Sequence, residues 1–115
     1  MLLPQPAADQ IDLATVLTAL GDPTRLAIVG YIARNEGVPL NCSQFLDFGS
    51  KTNLSYHLAK LREAGITSAE TRGTSRFISL RRTDLDARFP GLLDSVIASA
   101  IKMPFLLRDS APASP

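Results

Sequence analysis

The spacing of hydrophobic residues predicts a series of helices that a single β-hairpin interrupts near the end of the chain. Leu13, Val16 and Leu17 recur at the period of a helix, and two short strands are predicted on either side of a polar turn that contains Gly73. In chain order, the predicted elements are helices at 9–20, 23–35, 43–47 and 51–64, strands at 66–71 and 75–80, and a last helix at 92–102. The predicted fold is therefore mainly α with a small β-hairpin (α+β), in the order α-α-α-α-β-β-α.

Capping residues mark where the predicted helices begin. Asp22 followed by Pro23 indicates a helix start, because an aspartate oxygen accepts from the free N–H groups of a first turn and proline has no N–H that would need a partner there. Ser50 is the corresponding cap of a later helix, which ends at Gly65. A short helix, a glycine-containing turn and a longer helix form a helix-turn-helix pattern, and a hairpin directly behind it is typical of a winged helix.

The length of 115 residues suits one domain with short tails. Residues 1–8 contain two prolines without periodicity and predict a flexible leader, residues 9–103 the domain, and residues 104–115, with three prolines, a disordered tail. The N-terminus lacks the basic and apolar regions of a signal peptide, and no run approaches the roughly 18 apolar residues that cross a bilayer. We therefore expect neither secretion nor a membrane partner.

The net charge of +1 does not by itself indicate a nucleic-acid-binding protein. Residues 51–88 differ from the whole chain, because they hold eight lysines and arginines against four aspartates and glutamates. Such a local excess of positive charge is the electrostatic pattern of a DNA-binding surface. The single cysteine rules out an intrachain disulfide and is typical of a reducing compartment, so a cytoplasmic protein is expected.

Two motifs resemble those of the ArsR-type (ArsR/SmtB) winged helix-turn-helix transcriptional regulators. The first is LGDPTRL at 20–26, and the second is LSYHLAKLREAGI at 54–66, which resembles the recognition helix of that family and the step into its wing. The resemblance covers about residues 10–100. It implies a homodimer that binds an imperfect palindrome in promoter DNA, and repression that a bound or chemical signal, commonly a metal ion, relieves.

The helix at 51–64 supplies the candidate DNA contacts. Leu54, Leu58 and Leu61 fall on one face and predict the buried side, so the opposite side carries the polar residues. The N-terminal half of such a helix enters the major groove, where side-chain amides and hydroxyls bind base edges. The candidates for base contacts are Thr52, Asn53, Ser55 and Tyr56, and those for phosphate contacts are Lys51 and Lys60. The alternative is a solvated polar face on a surface helix.

His57 and the hairpin each leave two interpretations. His57 lies beside the buried face, so a half-buried histidine bonded to the backbone and a DNA contact both fit its position. Arg72, Thr74 and Arg76 stand around the hairpin tip and are candidate DNA contacts of the wing. The alternative is that these arginines only keep an edge strand soluble.

The last helix has more apolar surface than a small domain covers easily, which predicts that it packs on a symmetry mate together with the first helix. The candidate interface residues are Leu13, Leu17, Leu93, Val96, Ile97 and Ile101. The alternative is that the last helix closes the core of its own chain, and both can hold together.

The metal signal that the resemblance implies does not fit this chain. Thiolate and imidazole sites need several ligands, and the chain contains one cysteine, Cys42, and one histidine. We expect no metal and no cofactor, and an inducer that is non-metal or unknown, with a small-molecule effector as a candidate. Cys42 stands at the predicted start of the short helix and is a candidate redox or electrophile sensor. The alternative is a small, partly buried apolar residue.

A protein-interaction module that uses the winged helix without DNA is the main rival interpretation. An enzyme is disfavoured, because the sequence has no metal-ligand cluster, no glycine-rich phosphate loop and no nucleophile paired with a base and an orienting group. The sequence therefore predicts a dimeric, DNA-binding repressor of transcription that is not an enzyme.

Overall fold

A computed structural model of the chain describes residues 2–41, 45 and 50–102. The described elements are a 3-10 turn (Ala8–Gln10), α1 (Leu13–Leu20), α2 (Pro23–Arg34), β1 (Leu40–Asn41), α3 (Lys51–Glu63), β2 (Thr67–Arg72), β3 (Ser75–Leu80), α4 (Arg82–Arg88) and α5 (Leu92–Ala100). This mainly α fold with a small sheet is a winged helix-turn-helix, as predicted. The short helix predicted at 43–47 lies outside the described residues except for Phe45, and so does the tail at 104–115.

Polar side chains cap the helices where the sequence predicts them to begin. Asp22 Oδ2 accepts a hydrogen bond from the backbone N–H of Arg25 at 3.0 Å, with Pro23 in the first turn of α2. Ser50 Oγ accepts from the backbone N–H of Asn53 at 3.2 Å and caps α3. Both predicted caps are confirmed. Each spans only three residues, so the local sequence is sufficient to set it.

The hydrophobic core forms around α2. Its residues Ile28 and Val29 are fully buried, and the three leucines predicted for the buried side of α3 belong to the same core. Phe45 is also fully buried, and its ring meets that of Tyr31 edge-on with 5.4 Å between the centroids. α3 is therefore fixed on one side by packing and leaves its polar side to solvent.

The hairpin belongs to a three-stranded antiparallel sheet of order β1-β3-β2. Arg72 pairs with Ser75, so only Gly73 and Thr74 turn the chain between β2 and β3. β1 pairs with the middle of β3. β1 is not predicted from the sequence, because two residues are too few to show an alternating pattern.

A second element missing from the prediction is α4, between the hairpin and the last helix. The sequence predicts only a cap at Thr83 and Asp84, but the helix begins at Arg82 and Asp84 Oδ2 accepts from Arg81 Nη2 at 2.9 Å. Seven residues with a single buried leucine, Leu85, give too weak a periodic signal for a helix. The order in the described part is thus α-α-β-α-β-β-α-α.

The segment predicted to be a flexible leader is hydrogen-bonded to the domain over residues 3–6. The Leu3 N–H donates to the Ala69 carbonyl at 2.9 Å, on the edge of β2 that β3 does not occupy. Arg62 and Arg81 donate to the carbonyls of the two leader prolines at 3.1 Å and 2.6 Å. These partners are distant in sequence, so the composition of the leader does not predict its attachment.

Gly65 turns the chain from α3 into β2 with a φ of +86°. An added Cβ would lie 2.6 Å from Cγ1 of Ile11, a fully buried side chain. Gly65→Ala is therefore expected to lower the free energy of unfolding by about 2–4 kcal/mol, through backbone strain and overpacking together. A denaturant titration measures this loss.

Gly73→Ala is the matched control, because Gly73 has a φ of +63° and nothing lies within 4 Å of an added Cβ. This variant is expected to lose only the strain of the left-handed conformation, about 1–2 kcal/mol. Equal losses in the two variants would show that Ile11 moves aside without cost.

Candidate nucleic-acid interface

The exposed side of α3 carries the side chains predicted to contact DNA bases. The four exposed residues near its start are Thr52, Asn53, Ser55 and Tyr56. Ser50 caps this end, and the first turn contains no acidic residue. The start of α3 therefore presents N–H groups and uncharged hydrogen-bonding side chains to solvent, a combination that suits base edges and phosphates.

Tyr56 lies in a row of contacts along α3. Its ring meets the His57 imidazole edge-on with 5.4 Å between the centroids, and Lys60 Nζ lies 5.4 Å from the centroid of the phenol ring. Glu63 Oε1 lies 4.0 Å from Lys60 Nζ. These contacts restrict the Tyr56 ring, while Lys60 stays exposed beside it.

The partner of His57 in the structure is a side chain distant in sequence. The His57 side chain is 15% exposed, and Nδ1 lies 3.0 Å from Nη1 of Arg25 and 3.8 Å from Oδ2 of Asp22. A guanidinium only donates hydrogen bonds, so Nδ1 accepts and the ring proton belongs on Nε2. The partner is thus a side chain of α2 and not the backbone. Arg25 is 32 residues away along the chain and lies within the LGDPTRL motif, which is the sequence signal that marks its segment.

The two wing arginines lie on opposite faces of the hairpin. Arg76 pairs with Thr71, on the face that directs the buried Ala69 and Ile78 into the core. Arg72 is on the other face, because it pairs with Ser75 at the next position along the ladder. The sequence shows that both residues are charged, but it does not show that they lie on opposite faces of the hairpin.

Arg72 is engaged within the hairpin. Its Nη2 donates to Glu70 Oε1 at 2.9 Å, and its guanidinium lies 5.1 Å from the centroid of the Phe77 ring. Arg76 is exposed and has no carboxylate partner among the described residues. Of the two arginines, Arg76 is therefore the better placed to bind a phosphate.

Other arginines of the basic segment bind the rest of the chain. Arg82 donates to Glu36 Oε1 at 2.8 Å, beyond the end of α2, and also to Asp94 of α5. Its hydrogen bond to Glu36 is the main reason that the pKa of Arg82 lies above its ordinary value. Arg62 and Arg81 bind the leader, as described above. The excess of positive charge counted from the sequence therefore overestimates the charge that DNA could meet.

Known proteins similar to this chain share the motif around α2 and α3. A family model described as a helix-turn-helix domain matches residues 20–68, which reach from the end of α1 into β2. YceK of Bacillus subtilis (strain 168), an uncharacterized HTH-type transcriptional regulator, is 35% identical over an alignment of 92 residues that covers 76% of this chain and 88% of the relative. The chain belongs to the helix-turn-helix transcriptional regulators. It is thus a DNA-binding regulator of transcription.

In this helix-turn-helix regulator, the residues predicted for a dimer interface divide into three groups by exposure. Leu13 and Leu17 lie one turn apart on α1 and are 43% and 49% exposed. Leu93 and Ile97 are buried in the core of their own chain, where α5 packs against α2 and α4. Their burial favours the alternative in which the last helix closes the core of its own chain. The two remaining candidates are half-buried at the edge of that core: Val96 and Ile101.

Cys42, the candidate redox sensor of the helix-turn-helix regulator, lies outside the described residues. Within residues 2–41, 45 and 50–102, no group of three or more histidine, cysteine, aspartate or glutamate side chains is arranged to hold a metal ion. In that same part of the chain, no helix has the length and apolar content that crossing a membrane requires.

Proposed function

We propose that this helix-turn-helix regulator is an ArsR-type repressor that binds an imperfect palindrome in promoter DNA as a homodimer. The observation that carries the proposal is the exposed start of α3, where uncharged hydrogen-bonding side chains stand on a helix whose other side is buried. These side chains stand at the N-terminal end of α3, the end that enters the major groove in helix-turn-helix complexes. A polar face that only contacts solvent would not need hydrogen-bonding side chains at that end in particular. No catalytic role is proposed.

In the proposed complex, the start of α3 enters the major groove. Asn53 pairs with an adenine through two hydrogen bonds, and the hydroxyls of Thr52 and Ser55 bind neighbouring base edges. Lys60, together with Lys51 as the first residue of α3, binds phosphates and adds affinity without sequence information. Tyr56 contacts a base edge next to those that Thr52 and Ser55 bind.

The proposed wing contacts depend mainly on Arg76, with Thr74 at the exposed tip. Arg76→Ala is expected to weaken binding to specific and scrambled duplexes alike, and to reduce the slope of log affinity against log salt by about 1 for each arginine lost. Fluorescence anisotropy with labelled duplexes at several salt concentrations measures both quantities.

The Glu70→Ala/Arg72→Ala double variant is the control for this prediction, because it removes the whole ion pair and leaves the net charge unchanged. It is expected to bind close to the unmodified protein, whereas Arg72→Ala alone leaves the Glu70 carboxylate unpaired and should weaken binding through that charge. A larger loss from the double variant than from Arg76→Ala would reverse the proposed roles of the two arginines.

The proposed dimer forms through the exposed leucines of α1, with the half-buried residues of α5 at its margin. A two-fold axis between the chains places two copies of α3 on successive turns of one face of the duplex, about 34 Å apart.

The inducer is proposed to be non-metal, with a small molecule as the main candidate and oxidation of Cys42 as the alternative. For the latter, Cys42→Ser should abolish any response of DNA binding to peroxide.

Salt dependence separates this proposal from a winged helix that binds only proteins. A dimer with about six to ten phosphate contacts loses ~10³–10⁵-fold in affinity between about 50 and 200 mM salt, because binding releases condensed counterions. We expect such a steep fall in an anisotropy titration with duplex DNA. Weak binding that salt does not change would favour the protein-interaction module.

A further inference from the structure

Arg25 connects α1, α2 and the middle of α3. Its Nε donates to the Ala19 carbonyl at the end of α1 at 2.6 Å, and its Nη1 donates to His57 Nδ1 on α3 at 3.0 Å. Its backbone N–H donates to Asp22 Oδ2, the cap of α2, and that oxygen lies 3.8 Å from His57 Nδ1. We call this group of Asp22, Arg25, His57 and the Ala19 carbonyl the Arg25 clasp.

Capping of α2 does not account for the Arg25 side chain. Asp22 needs only a backbone N–H at position 25, which every residue except proline provides. The guanidinium is planar, and its donors point in fixed directions. Two of these donors are used on partners from different helices, so the clasp fixes the direction from which α1 and α2 contact α3.

The clasp supplies a constraint that the core does not. Leucine packing selects the side of α3 that faces the core but tolerates small rotations of the helix, whereas a hydrogen bond to an imidazole nitrogen requires one orientation. The Tyr56 ring lies edge-on against the His57 ring on the exposed side of α3. Lys60 Nζ lies over the phenol ring of Tyr56. The orientation of His57 therefore affects the positions of Tyr56 and Lys60, which lie on the surface proposed to contact DNA.

We propose that the Arg25 clasp sets the rotation of α3 about its own axis, which makes Arg25 and His57 positioning residues for base recognition. This inference rests on the proposed function, since it assumes that α3 is the helix that contacts bases. Arg25 and His57 need not touch DNA in this role.

His57 is the only histidine of the chain, so its ring nitrogens give an unambiguous NMR signal without DNA. The clasp is expected to hold the neutral ring as the Nε2-protonated tautomer, with Nδ1 accepting from Arg25. Arg25→Gln is expected to shift the signals toward a mixture of tautomers. A wild-type ring that carries its neutral proton on Nδ1 would overturn the clasp.

The DNA experiment uses the full chain, a duplex motif selected with the wild-type protein from a random pool, and a scrambled duplex of the same length. Arg25→Gln and His57→Leu are expected to weaken motif binding about tenfold, the scale of one base-specific contact, with scrambled binding unchanged. The double variant should lose no more than Arg25→Gln alone, because His57→Leu removes a contact that Arg25→Gln already removes. His57→Asn keeps an acceptor near the position of Nδ1 and is expected to restore most of the affinity.

The unfolding midpoint of each variant is measured first, and binding is then compared at a temperature where every variant is folded. A loss of affinity under these conditions reports the position of α3 and not the stability of the chain. Two results would overturn the inference and leave the proposed function intact. Arg25→Gln could discriminate between the motif and the scrambled duplex as well as the wild type does, or it could lose equal affinity for both duplexes. Failure of His57→Asn to improve on His57→Leu would also overturn the inference. If the wild-type protein selects no motif, the proposed function and the role of the clasp are both wrong.

Discussion

A chain that carries glutamate at both Leu13 and Leu17 is expected to be a folded monomer that binds operator DNA about 10²-fold or more weakly than the dimer. Both side chains are among the exposed large hydrophobic residues, and on α1 they lie beside the buried Val16 and Leu20, at the exposed margin of the same apolar face. Charges there should leave the core intact but prevent two apolar surfaces from meeting. Each protomer then binds one half-site without the advantage of linkage to the second.

Val38→Glu is the matched control for the α1 variant. Val38 is 58% exposed, but it lies in the loop before β1 and not on α1. This variant should remain dimeric and bind operator DNA as the wild type does. Analytical ultracentrifugation reports the oligomeric state and anisotropy reports the affinity. An α1 double variant that stays dimeric with unchanged affinity would exclude α1 as the interface.

Asn53→Ala is expected to remove about 1–3 kcal/mol of discrimination between the selected motif and its variants at one position, which corresponds to about 5- to 150-fold. Asn53 is exposed in the first turn of α3, and its backbone N–H, not its side chain, takes part in the cap with Ser50. Alanine is a better helix former than asparagine, so the fold should not suffer. The loss therefore reports a side-chain contact with a base.

Glu63→Ala serves as the control, because Glu63 is exposed at the opposite end of α3. It is expected to preserve discrimination at every position of the motif. Binding of Asn53→Ala to a set of duplexes, each with one substituted base pair, locates the contact. A uniform loss across all duplexes would instead place Asn53 on the DNA backbone and contradict its proposed role.

The features that the sequence predicts correctly are local ones. Asp22 and Ser50 each cap a helix through a residue three positions ahead, and the leucines of α3 identify the buried side through their spacing alone. The hairpin follows from a glycine between two short runs, since Gly73 adopts the positive φ that its turn needs. In each case, the decisive interaction lies within one element.

The features that the sequence does not predict depend on partners far apart along the chain. Arg25 and His57 meet only because α2 packs beside α3, and Leu93 and Ile97 are covered by α2 and by a helix too short to predict. Apolar periodicity identifies the buried face of α5 but cannot tell whether its own chain or a second copy buries it. Contacts across the fold decide that question.

Charge counting fails for a similar reason. The arginines of the basic segment read alike in sequence, yet Arg72 and Arg82 are paired with carboxylates while Arg76 is exposed at the wing. The register of β2 and β3 decides which face each wing arginine occupies. A candidate DNA surface is therefore defined by pairing within the fold as much as by composition.

Selection of bound sequences from a random duplex pool by the full chain tests the central claim most directly. The expected result is an imperfect palindrome whose half-sites lie about 10–10.5 base pairs apart, one helical turn, bound with a steep dependence on salt. A folded chain that enriches no motif, and whose weak DNA binding is insensitive to salt, would contradict the claim that α3 reads promoter DNA.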